Sequence, residues 1–86
     1  MPEISRFFGI VIKIFFEDHN PPHFHAEYGD RMALIDIRNL TVFSGQLPPR
    51  VLGLVIEWAT LHRQELLEDW ERAQDQQPLR KIAPLE

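Results

Sequence analysis

Three of the four histidines fall within seven residues, in the string Asp18-His19-Asn20-Pro21-Pro22-His23-Phe24-His25. Histidine changes charge near neutral pH and is the commonest metal ligand. His23 and His25 are two apart, so on a strand they project from one face and could reach one ion. His19, Glu27 or Asp18 could complete a three-ligand set. Imidazoles with a carboxylate suit zinc, iron or nickel better than magnesium, so the cofactor this set implies is a divalent transition metal. A His-x-His pair also begins the pattern of cupin barrels. Here no Glu follows at the required interval, and 86 residues are few for a double-stranded barrel.

Metal-free RNA cleavage is a second chemistry. It needs a base for the 2′-hydroxyl, an acid for the leaving oxygen and a cation for the phosphorane. His23 or His25 would serve as one proton carrier and His19 as the other, with Arg6 or Arg38 clamping phosphate. A third reading involves no chemistry: Pro21-Pro22 shapes a rigid loop, His23 and His25 hydrogen-bond backbone groups, and Phe24 anchors the core. The residues alone leave all three open.

Composition narrows the field. The net charge of −4 counts against an autonomous nucleic-acid binder, though not against an endonuclease acting on ribosome-bound RNA or tRNA. With no cysteine, disulfides, thiolate catalysis and zinc–thiolate sites are excluded. That absence fits a reducing cytoplasm. No secretory leader is visible, and the apolar run 7–16 is too short for a bilayer and carries Lys13. A cytoplasmic protein without membrane contact is expected.

The elements that must position the histidines follow from periodicity. Residues 9–17 read as a central strand, with Ile10, Ile12, Ile14 and Phe16 on one face and Val11, Lys13, Phe15 and Glu17 on the other. A proline-rich loop covers 18–22. Strict alternation returns over 23–28: Phe24, Ala26 and Tyr28 face one way, His23, His25 and Glu27 the other. Gly29-Asp30 turns the chain into a strand over 32–38, with Ala33, Ile35 and Ile37 inward. Residues 41–44 form a short fourth strand that Gly45 ends.

Pro48-Pro49 opens a helix expected to run without a break over 49–74. Val51, Val55, Ala59, Leu66 and Trp70 form its apolar stripe, flanked by Leu52, Ile56 and Trp58. Glu57, Thr60, Gln64, Glu68 and Glu71 form its wet face. His62 falls in the stripe, as a core histidine that Glu65 or Asp69 could orient. Trp58 and Trp70 read as core rather than base-stacking platforms, and Arg63 and Arg72 as solvated. After the polar stop at 75–78, residues 79–85 form an extended tail along the sheet edge. The whole is one α+β domain over 1–86: a small antiparallel sheet of three or four strands, one long C-terminal helix on one face, and the tail.

One helix cannot cover both faces of such a sheet. Ile10, Ile12 and Ile14 oppose Val11 and Phe15, yet both sets are apolar. A second molecule is expected on the open face, either another protein or a second copy forming a homodimer.

The strings Ile4-Ser5-Arg6-Phe7-Phe8-Gly9-Ile10-Val11-Ile12 and Asp18 through Gly29 resemble the bacterial family called domain of unknown function 4160. So do Gly45-Gln46-Leu47-Pro48-Pro49-Arg50, Glu57-Trp58-Ala59, Leu61-His62, Glu65-Leu66, Asp69-Trp70 and Ile82-Ala83-Pro84-Leu85. Asp69 departs from the pattern, which leads one to expect Asn there. The resemblance implies a small bacterial cytoplasmic protein of unassigned activity. It also implies a two-gene, toxin–antitoxin-like arrangement, in which this chain is the toxin-like component, binds a small neighbouring-gene protein, and could act on RNA.

Overall fold

The computed structural model describes residues 2–16 and 18–86. Five strands come first: β1 (Glu3–Phe7), β2 (Ile10–Lys13), β3 (His23–Tyr28), β4 (Arg31–Asp36) and β5 (Val42–Gly45). Two helices follow, α1 (Pro49–Leu61) and α2 (Arg63–Gln74). The strands lie in chain order, each antiparallel to the next. The α+β arrangement expected from the sequence is therefore present, with one strand more and with the helix in two pieces.

The extra strand is β1. Its register shifts between Glu3 and Ser5, so Ile4 and Ser5 are both buried and the period of two is broken. The turn into β2 uses Phe8 at φ 50° and Gly9 at φ 79°. Positive φ is uncommon for a bulky side chain, so nothing in Phe8 announces a hairpin. β2 is shorter than the strand expected over 9–17. It ends at Lys13, and the Ile14 N–H then bonds the Pro2 carbonyl at 3.0 Å. Its expected far end at Glu17 lies outside the described residues.

The helix breaks at His62, whose φ of −124° and ψ of 23° leave the helical region. Its N–H reaches back three residues to the Ala59 carbonyl, and α2 starts again at Arg63. No glycine or proline marks this break. The apolar stripe survives it: Val51, Val55, Trp58, Ala59, Leu66 and Trp70 are all buried.

Ile10, Ile12 and Ile14 join Phe24, Ala26, Ala33, Ile35 and Ile37 in one core with that stripe. Burial stabilises by about 1.5–3 kcal/mol for each large apolar side chain. Trp58 sits at the centre, its ring 5.3 Å from that of Phe7 and 6.0 Å from that of Phe24. Its indole N–H donates to the Ala83 carbonyl at 2.8 Å.

That bond helps tie down the tail. The Ile82 N–H also donates to the Ile4 carbonyl at 2.8 Å, laying the tail along β1 as expected. Further back, the Arg80 N–H donates to Oδ1 of fully buried Asp69 at 2.9 Å. Arg72 is not simply solvated: it donates to the same oxygen at 2.9 Å, because the buried carboxylate draws it in. Among the described residues no helix is long and apolar enough to cross a membrane.

The opposite sheet face is more open, although Trp70 of α2 reaches its His23 end, with ring centroids 5.2 Å apart. Phe15, Met32 and Phe43 are 37%, 42% and 46% exposed, and Val11, His25 and Leu34 are half-buried.

Candidate functional site

The loop over 18–22 joins β2 to β3 and is held at several points. The Ile37 N–H donates to the Pro22 carbonyl at 3.0 Å, and the Gln74 side-chain amide of α2 donates to the Asp18 carbonyl at 3.0 Å. The Asn20–Pro21 peptide bond is cis. These ties return Asp18 to the start of β3. Its Oδ1 accepts the His19 N–H at 2.9 Å, which aims Oδ2 at the two histidines. Oδ2 lies 3.0 Å from Nε2 of His23 and 3.2 Å from Nε2 of His25.

The two rings arrive as the alternation of β3 requires. His23 opens the strand, and its side chain is only 5% exposed. The ring centroids of Trp70, Phe43 and His25 lie 5.2, 5.2 and 5.4 Å from its own. His25 is more open, with Phe15 edge-on at 4.5 Å. One donor atom from each of Asp18, His23 and His25 lies within 4.8 Å of the others. Aromatic side chains therefore enclose a compact set of one carboxylate and two imidazoles.

Hydrogen-bond roles constrain the protons. Nδ1 of His23 lies 2.7 Å from the Pro21 carbonyl, which can only accept. Nδ1 therefore carries a proton and donates it. In neutral His23 the remaining nitrogen, Nε2, is a bare lone pair, and it points at the carboxylate. Two acceptors cannot bond each other. A proton shared between imidazole and carboxyl, or a cation at the point where they meet, satisfies both.

Asp18 feels opposing influences. Partial burial would raise its carboxyl pKa. The hydrogen bonds from His25 and the His19 N–H, and then the charges of His23 and His25, outweigh that effect and hold it below the ordinary carboxylate value.

The other expected participants lie elsewhere. His19 is exposed and contributes its backbone N–H to Asp18; its ring is not among the convergent donors. Arg6 forks onto Glu3 at 2.9 and 3.2 Å. Glu27 pairs with Lys13 at 3.1 Å and is not one of the clustered donors. His62 bonds Glu65 through Nδ1 and packs on Trp58, apart from the cluster. Arg38 lines a hollow of about 270 Å³ with Asn20, Pro22, Trp70, Glu71 and Gln74.

Sequence reasoning missed the roles of Gln74, Phe15, Phe43 and Trp70 around the cluster. Trp70 was legible as a core residue, and its ring does double service against His23. Gln74 carried no signal, since a lone glutamine on a helix normally faces water.

Residues 9–71 match the family described as "Domain of unknown function (DUF4160)". The chain belongs to this family. The DUF4160 match contains Asp18, His23 and His25, together with Phe15, Phe43 and Trp70. Gln74, which steadies Asp18, and the tail lie beyond it. The family description assigns no activity. No curated protein and no solved structure matches the chain.

Proposed function

We propose that this protein works by docking a partner on the open part of the sheet face that carries His25. The observation that carries the reading is the exposure of Phe15, Met32 and Phe43 on a face whose half-buried members include Val11 and Leu34. Aromatic and methionine side chains are enriched in protein interfaces, and lysine, glutamate and aspartate are depleted from their centres. Lys13 and Glu27 on this face pair with each other, which lowers the cost of covering them. The partner is a small protein encoded beside this one, as the resemblance to a toxin–antitoxin-like arrangement implies, with this chain as the toxin-like component.

Co-expression of the chain with its gene neighbour, followed by size-exclusion chromatography with light scattering, tests the proposal. A one-to-one complex is expected, and Met32→Asp or Phe43→Asp should dissociate it while circular dichroism stays unchanged. A homodimer disrupted by the same substitutions would reassign the face to self-association. A monomer that ignores its neighbour would overturn the docking reading.

A further inference from the structure

We infer that Asp18, His23 and His25 form a binding site for one divalent transition-metal ion. The inference starts from the proton mismatch. Nδ1 of His23 is committed to the Pro21 carbonyl, which leaves Nε2 aimed at Oδ2 of Asp18, 3.0 Å away. An imidazole whose second nitrogen donates to a backbone carbonyl is the usual state of a metal-bound histidine. The carbonyl fixes the tautomer and the ring orientation before the ion arrives.

The spacing fits as well. Ligand bonds of about 2.0–2.1 Å in a tetrahedron place donor atoms about 3.3 Å apart. The two carboxylate–imidazole separations of 3.0 and 3.2 Å are close to that edge, and all three donor atoms lie within 4.8 Å of one another. Protonation of His23 is the competing way to satisfy Asp18, since His25 can donate through Nε2–H as a neutral ring. It would place a positive charge on a side chain only 5% exposed. A single ion satisfies all three donors at once.

The donor set also selects the kind of ion. Two imidazoles and one carboxylate suit zinc, iron, cobalt or nickel, whereas magnesium and calcium prefer oxygen ligands. Three protein donors leave at least one coordination position open. Half-buried His25 lies on the more open sheet face, so that position is within reach of a docked partner or a small ligand.

Titration of the tag-free 86-residue chain with Co²⁺, read by visible absorption, tests the site. The expected result is d–d absorption saturating at one ion per chain and displaced by Zn²⁺ but not by Mg²⁺. His25→Ala and Asp18→Asn should each weaken binding by more than the roughly 10- to 100-fold that loss of an outer-shell partner costs. His19→Ala and His62→Ala should leave it unchanged. His25 and Asp18 are both partly exposed, so these variants should fold, which circular dichroism verifies. Absence of Co²⁺ absorption, binding that survives both ligand substitutions, or binding lost with His19→Ala would each overturn the assignment.

Discussion

Gln74 near the end of α2 donates its side-chain amide to the backbone carbonyl of Asp18 at 3.0 Å, across 56 residues of chain. The helix thereby holds the loop that carries the carboxylate. That bond acts beside the Ile37 N–H to Pro22 carbonyl bond and the His23 Nδ1–H to Pro21 carbonyl bond, which fasten the later part of the loop.

Gln74→Ala should separate positioning from stability. The bond is exposed, so its loss costs about 0.5–1.5 kcal/mol at most. Asp18 is then free to wander relative to the fixed imidazole of His23. The expected outcome is a nearly unchanged urea midpoint with Co²⁺ affinity down about tenfold, as for other outer-shell losses. Equal Co²⁺ titration curves for parent and variant would show that Asp18 needs no support from α2.

How much of this was legible in the sequence depends on whether the signal was local. Strict alternation placed His23, His25 and Phe24 correctly, because β3 has no bulge and packs one clean face on the core. β1 escaped because its bulge buries adjacent Ile4 and Ser5. The helix break escaped because His62 carries no breaker chemistry. His19, Glu27 and Asp18 were all candidates to complete the cluster, and the set expected with His19 has Asp18 in its place. The choice between them was made by the path of the loop, through contacts with Gln74 and Ile37 that are distant in sequence.

Acid should test Asp18 directly in metal-free protein. Its carboxyl is held below the ordinary value in the folded state, against burial, by His25 and the His19 N–H. A depressed folded-state pKa means that the unfolded chain binds the proton more readily. The stability contributed by Asp18 is therefore complete above the unfolded value of about 3.9 and is lost as pH falls through the lower folded value. Urea midpoints measured downward from pH 5 should drop more steeply for the parent chain than for Asp18→Asn. Parallel curves for the two proteins would mean that Asp18 gains nothing from its neighbours.

Asp69 poses the sharpest question about the scaffold. Its Oδ1 receives both Arg72 and the Arg80 N–H at 2.9 Å, while buried Oδ2 has no hydrogen-bond partner among the described residues. The residue therefore works as an acceptor at one oxygen and bears an unpaired lone-pair group at the other. Asp69→Asn can keep Oδ1 in place for both donors and removes a buried negative charge. It leaves a buried N–H₂ where Oδ2 stood, so one unpaired group replaces another, and the change should stay within about 1 kcal/mol. Asp69→Ala strands the Arg80 N–H and Arg72 together and releases the tail from α2, which should cost about 3–5 kcal/mol, as breaking a buried ion pair does. Chemical denaturation of the two variants, with hydrogen exchange at Arg80 and Ile82, separates the cases. If Asn proves as costly as Ala, the charge on Asp69 and not its acceptor geometry holds the tail against β1.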